Sequence, residues 1–361
     1  MATMHGVQSS LIRAVQEQVA DMDTRGVANG LNGVGKLHRA RAWHLSAKDC
    51  EALLQAAERT AVDMNAQDVA NTWNALSRLD IPLGEALRNE LLRASERVLP
   101  SSNAQAVANT WNALSGLDIP PGEALRNELL RASERVLPSS NAQNVANTWN
   151  ALKDLDIKPG KALRNGLLRA SERVLPSSTA QEVALTWNAL AGLNISPGDA
   201  LRNELLRACE RVLPKSNAQN VANMWNALFG LGIQPGETLR GILVERSQQL
   251  APTMAGQHVS SSMHAIASLA VPHADRARLA LQAATAAQLQ TSSLDTQALC
   301  NCLWALAAGN GASAETLAAE ESTLAVDLLR ALLSQPCKPC QMDLQQVCST
   351  LVSQPLGDLV L

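Results

Sequence analysis

The feature that most constrains this chain is a tryptophan that returns at a constant interval of 38 residues, at Trp73, Trp111, Trp149, Trp187 and Trp225. Each lies in a copy of one octapeptide: Val-Ala-Asn-Thr-Trp-Asn-Ala-Leu at 69–76, 107–114 and 145–152, with close variants at 183–190 and 221–228. A fixed period of this length marks a tandem array, in which one supersecondary unit buries its apolar face only against its neighbours. The register continues with decay. Met263 lies one period after Trp225, and Leu299-Cys-Asn-Cys-Leu-Trp304-Ala-Leu is a further copy with the indole one place later. Upstream, Val27-Ala-Asn-Gly-Leu31-Asn-Gly-Val is a degenerate copy, and residues 11–22 read as the second half of a still earlier repeat. The organisation expected is degenerate repeats over 1–64, five regular repeats over 65–254, and degenerate repeats with a cap over 255–361.

Each repeat splits into two helices. Helix A of the first regular repeat spans about Ala66 to Leu79, and Ser102-Asn-Ala-Gln105 and Ser140-Asn-Ala-Gln143 predict a capping box at its start in the next two. The Pro and Gly of Ile81-Pro-Leu-Gly84 and Ile119-Pro-Pro-Gly122 are expected to stop it, and the acid that follows suits the positive end of helix B. Helix B runs from Glu85 to Leu99 and ends at Pro100. With no strand signal, the fold class predicted is all-α, a right-handed α-solenoid of two-helix repeats. At about 100° per residue, Val69, Thr72, Trp73, Leu76 and Leu79 share the apolar side of helix A. Gln67, Asn71, Asn74 and Arg78 form the opposite, polar stripe. On helix B, Leu87, Leu91, Ala94 and Val98 point inward, while Asn89, Arg93 and Arg97 face out among Glu90 and Glu96. The recurring Trp is therefore a core residue, and free stacking aromatics are expected to be absent.

Composition narrows the function classes. A chain of 361 residues with 46% hydrophobic and 17% charged residues is not bulk disorder. No apolar run is long enough to cross a bilayer, and the N-terminus lacks the pattern of a secretory signal. A net charge of −3 gives no bulk attraction for polyanions. Seven cysteines, an odd number crowded towards the C-terminus, suit a reducing compartment. Cys300 and Cys302 with Cys337 and Cys340 have the ligand types of a four-thiolate zinc site, although two cysteines spaced two apart on a helix face different directions. No metal or cofactor is expected. Gly30-Leu-Asn-Gly-Val-Gly35-Lys36-Leu37 spells a phosphate-binding loop up to its last letter, but no strand precedes it and the match reads as chance. No nucleophile elbow, His-Glu metalloprotease motif or carboxylate pair is present, so no enzyme is expected.

The candidate binding residues lie on the polar stripe. Asn and Gln present a donor and an acceptor together, and helical-repeat RNA binders read about one base per repeat with two or three side chains. One column is Asn74, Asn112, Asn150, Asn188 and Asn226, and a second is Asn71, Asn109, Asn147 and Asn223, with Leu185 in the fourth repeat. Two further positions vary between otherwise similar repeats, as unit-by-unit recognition requires: Asp68, Ala106, Asn144, Glu182 and Asn220, and then Arg78, Gly116, Asp154, Gly192 and Gly230. Against this, a repeated Asn can ladder to neighbouring backbone. Phosphate contacts are offered by Arg93, Arg97, Arg131, Arg135, Lys153, Arg169, Arg173, Arg207 and Arg211. Their interleaved glutamates read first as a salt-bridged solvent face.

These residues resemble the octotricopeptide repeat family, whose units have the same length and two helices. Its first helix reads like L-A-N-x-L-W-A-L-A, matched here by the octapeptide around Trp73 and by the copy around Trp304, and its Pro-rich box corresponds to Pro120-Pro-Gly-Glu123-Ala124. The indole stands one place early in the five regular repeats, and Ala124 replaces the Trp of the second box. The resemblance implies a non-enzymatic protein that binds single-stranded RNA and acts on the maturation, stability or translation of transcripts in a chloroplast or mitochondrion, although no clear transit peptide is present. The other reading is a protein-interaction scaffold of the same fold.

Overall fold

The computed structural model describes residues 18–39, 47–79, 81–308 and 319–334. Among these are sixteen α-helices and no strand. The chain divides into two compact units, Met1–Val174 and Leu175–Leu361. In the first, A helices Ala66–Leu79, Ala104–Gly116 and Ala142–Asp154 alternate with B helices Glu85–Val98, Glu123–Val136 and Lys161–Val174, after a leading pair at Thr24–Arg39 and Ala47–Thr60. In the second, A helices Ala180–Gly192, Ala218–Gly230, Gly256–Ser268 and Thr296–Ala308 alternate with B helices Asp199–Val212, Glu237–Leu250, Asp275–Gln290 and Ala319–Ser334. Within each unit A packs on A and B on B, which makes the fold an all-α tandem repeat of the solenoid class.

The indole column is buried as expected, at 0% exposure in all five repeats. A buried N–H needs an acceptor, and helix B supplies it. Trp73, Trp111, Trp149 and Trp225 donate from Nε1 to the Oγ of Ser95, Ser133, Ser171 and Ser247 at 2.9–3.0 Å. Those hydroxyls donate in turn to a carbonyl one turn back, that of Leu91, Leu129, Leu167 and Leu243. In the fourth repeat the acceptor is Cys209 Sγ, 2.9 Å from Trp187 Nε1. One period after Trp225 the chemistry reverses: Thr285 Oγ1 donates to the sulfur of Met263 at 3.2 Å. The contact survives repeat decay because its place is set by packing, and any donor–acceptor pair that fills it is satisfied.

Helix ends differ from the sequence reading by one residue. Asn103 and Asn141, not the preceding serines, cap helix A by accepting from the N–H groups of Ala106 and Asn144. Ser102 and Ser140 instead donate to Val98 and Val136 carbonyls at the end of helix B. A capping box does form at Thr179 and Glu182. The A helices do not stop at the Pro-Gly step either. They close on a left-handed residue, Asp118, Asp156, Asn194 or Gly232, with φ between 50° and 63°. The next N–H then reaches back five residues, as from Ile119 to the Leu114 carbonyl. Gly122, Gly198 and Gly236 have ordinary φ and serve as N-caps of helix B, ahead of Glu123, Asp199 and Glu237.

Successive B turns are joined by arginine. Arg97, Arg135, Arg173 and Arg211 each donate from Nη2 to two backbone carbonyls of the preceding repeat, as Arg135 does to Leu99 at 2.9 Å and Ser102 at 2.8 Å. Arg246 in the fifth regular repeat and Gln288 in the decayed repeat after it fill the role, bonding to Ser216 and Met254 carbonyls.

Candidate nucleic-acid interface

The amide columns occupy the sixth and ninth residues of the A helices. Asn71, Asn109, Asn147 and Asn223, and Asn74, Asn112, Asn150, Asn188 and Asn226, are all half-buried. Among the described residues these amides do not ladder to neighbouring backbone. Of the nine, only Asn150 makes a side-chain hydrogen bond, from Nδ2 to Asp154 Oδ2 at 2.6 Å. Each repeat thus presents one or two unpaired carboxamides, set in rows by the same helical register that buries the Trp beside them.

The variable positions lie elsewhere. Asp68, Asn144 and Asn220 sit in the first turn of helix A at 4%, 8% and 8% exposure, and Glu182 is held in its capping box. That column faces the stack rather than solvent. The other column reaches back to the preceding repeat: Arg78 Nη1 donates to Asn32 Oδ1 at 2.9 Å, and Asp154 accepts from Ser115 Oγ at 2.8 Å. At Gly116 a Cβ would lie 2.8 Å from Ser77 Oγ, so a larger residue there would make that serine side chain turn. Arg78, Gly116 and Asp154 of this column thus each face a residue of the preceding repeat.

Most of the basic candidates have work inside the molecule. Arg97, Arg135, Arg173 and Arg211 hold the carbonyls described above. Arg93, Arg131 and Arg207 pair with Glu90, Glu128 and Glu204 one turn away, and Lys153 pairs with Asp154 at 2.8 Å. These exposed pairs add little stability, but they offset the positive charge of the row. Arg169 is the exception, because Gly166 stands where the others have glutamate. It borders a cavity of about 340 Å³ lined also by Glu134, Leu137 and Arg173.

The expectation that no aromatic ring is free requires correction. Counted along its helix, Trp304 is not in the Trp column. Leu303, 1% exposed, takes that place, and Trp304 falls in the Asn74 column, half-buried. There it meets His264 of the same column, ring centroids 4.6 Å apart, and His264 meets Phe229 edge-on at 4.9 Å. Phe229, the chain's single Phe, is 39% exposed. Burial holds the His264 imidazole below its ordinary pKa, so it is neutral at pH 7. Hydropathy matching aligns one Trp with another; the signal that separates them is the apolar Leu303 immediately before Trp304.

Nothing else suggests chemistry. Residues 30–37 lie inside the helix Thr24–Arg39, not in a loop. No group of three His, Cys, Asp or Glu able to hold a metal occurs among the described residues. Cys300 and Cys302 are both buried, and Cys337 and Cys340 lie outside the described residues. Burial pushes the Cys209 and Cys302 thiols up to about 12. Both should stay protonated and resist iodoacetamide at pH 8 in the folded chain, and react on unfolding. Peptide mapping after labelling checks this, and native labelling of Cys209 as fast as the half-buried Cys50 contradicts it. No helix of the described residues is long and apolar enough to cross a membrane.

No protein-family profile matches the chain, and no curated protein does. Among solved structures it is similar to part of a homology model of the AP-3 complex in an intermediate open conformation, at 10% identity over 94% of this chain and 68% of that one, TM-score 0.36. It is also similar to a circular tandem repeat protein with novel repeat topology, at 14% identity over 91% and 98%, TM-score 0.29. A third likeness, to an engineered protein, has 12% identity over 95% and 91%, TM-score 0.22. At these scores none carries a function across. What the chain's own helices establish is a tandem helical-repeat scaffold.

Proposed function

We propose that this scaffold binds single-stranded RNA through the amide columns of its A helices, in the manner the octotricopeptide likeness implies, with no catalytic role and with organellar transcripts as targets. The observation that carries the reading is the recurrence of Asn71, Asn74 and their counterparts, all but Asn150 without a side-chain hydrogen bond among the described residues. Neighbouring positions of the repeat have identifiable structural tasks: core, cap, helix stop or staple. A carboxamide that packs against nothing polar and recurs in every regular repeat supplies a donor and an acceptor at the height of a base edge.

The charge distribution sets how such binding behaves. Single-stranded RNA loses affinity with salt at a slope near −0.7 for each phosphate contact, and most cations here are paired or stapled. A shallow slope, about −1 to −2, is therefore expected. Anisotropy titrations of a pooled single-stranded RNA across a salt series test the reading. The variant Asn71→Ala/Asn109→Ala/Asn147→Ala should bind at least about tenfold more weakly, with each of the three lost amide bonds worth about 0.5–1.5 kcal/mol, while its melting temperature stays unchanged. Absence of binding by the unmodified chain at low salt overturns the proposal.

The paired Arg–Glu rows of the B helices favour a second reading, a scaffold for protein partners. Their mixed charge gives a specific pattern for a complementary protein surface but no net field for a polyanion. A purified partner whose binding is sensitive to Glu128→Lys but indifferent to RNA and to the triple Asn variant would support it instead.

A further inference from the structure

The A helices of the second unit carry the amide columns into a cluster of rings that the first four regular repeats lack. In those repeats the ninth residue of helix A is Asn, and the twelfth is Ser77, Ser115, Lys153 or Ala191. Here the ninth becomes His264 and then Trp304, and the twelfth becomes Phe229. A chain with no Tyr, one Phe and seven Trp keeps five of those indoles at 0% exposure, yet brings its single Phe and its off-column Trp together on the solvent side. Replacing a small polar residue by a half-exposed ring adds little to the core, and both rings contact the same imidazole from opposite repeats.

Charge points to what covers them. The helices Ala218–Gly230, Gly256–Ser268 and Thr296–Ala308 contain no Asp, Glu, Lys or Arg. The face they share consists of rings flanked by Asn223, Asn226, Ser261 and Asn301, the last accepting from Gln297 at 3.0 Å. These three helices themselves contribute no carboxylate to repel a phosphate chain and no ion to pair with a charged peptide. Ring faces beside amide edges meet the two recognition needs of an unpaired base, stacking and edge hydrogen bonds.

We infer that Phe229, His264 and Trp304 form a stacking platform for the bases of single-stranded RNA at the end of the amide column. This rests on the RNA reading above and adds to it a place where bases are held by their faces, independent of sequence. The test uses the full chain with short oligoadenylate and an abasic oligonucleotide of the same length. Phe229→Ser and Trp304→Asn restore residues the repeat itself uses at these positions, so the fold should tolerate them. Saturation with oligoadenylate should quench the half-exposed Trp304 while leaving the buried indoles unchanged, and each variant should lose about tenfold in affinity. The abasic strand should neither quench nor distinguish the variants.

Retained affinity in both variants, with wild-type binding intact, overturns the platform and leaves the amide reading standing. Failure of the wild type to bind any RNA overturns both. Displacement of the strand by an uncharged aromatic peptide that quenches Trp304 more tightly than RNA assigns the rings to a protein partner and overturns the inference. If Trp304→Asn melts early, Phe229→Ser and the wild-type quench decide.

Discussion

Replacing Trp149 with alanine should destabilise the first unit by about 3–5 kcal/mol. The side chain is fully buried, and its Nε1 donates to Ser171 Oγ at 3.0 Å, which itself donates to the Leu167 carbonyl at 2.8 Å. Truncation leaves a cavity between helices A and B and removes the hydroxyl's donor. In a tandem array stability is a sum of repeat and nearest-neighbour terms, so damage to an inner repeat also uncouples the repeats on either side. The urea transition should therefore broaden and its apparent m-value fall. Trp149→Phe separates the contributions: most of the volume stays, the N–H goes, and a loss of about 1–2 kcal/mol is expected. An alanine variant within 1 kcal/mol of wild type, on the usual scale of surface substitutions, would mean that the indole is not the core of its repeat.

The second large effect is expected at the staples. Arg135→Met keeps the aliphatic stem and removes charge-assisted bonds to the Leu99 and Ser102 carbonyls. Bonds to charged groups contribute about 1.5–3 kcal/mol, and chemical denaturation should show a loss of that size. RNA affinity should not change. Arg131→Met, whose partner is the exposed Glu128, should be within about 0.5 kcal/mol of wild type. A stable Arg135→Met that binds RNA poorly would return this arginine to the phosphate-contact class and refute its structural assignment.

The repeat period, the two helices and the inward Trp are all legible in the sequence because they depend on spacing and hydropathy. The acceptor on Ser95 is not, since a serine among Arg and Glu on helix B looks like surface until Trp73 is placed opposite it. The cap position is not legible, because Ser102 and Asn103 are both good N-caps and only the path of the 3₁₀ turn Leu99–Ser101 decides between them. The helix stop at Asp118 is equally hidden, because Asp and Asn adopt left-handed backbone far less often than glycine and carry no fixed signal for it. At the candidate site, the alignment of the Asn columns on one face follows from the helical wheel, but the lack of backbone partners for them does not, since the sequence allows a repeated Asn to ladder to its neighbours. The pairing of Arg78 with Asn32 and of Asp154 with Ser115 does not, because it depends on contact between repeats rather than on a pattern within one.

The staples all point one way along the chain. Arg135 bonds to carbonyls 36 and 33 residues before it, and Arg97, Arg173 and Arg211 reach back by the same intervals. Among the described residues, each regular repeat has its last turn finished by the one made after it. On a ribosome, the newest turn would keep two carbonyls hydrated until the next B helix emerged, so native structure would trail synthesis by one repeat. A chain halted within such an array would end in an open turn, exposed to proteases and ready to accept the corresponding arginine of another molecule.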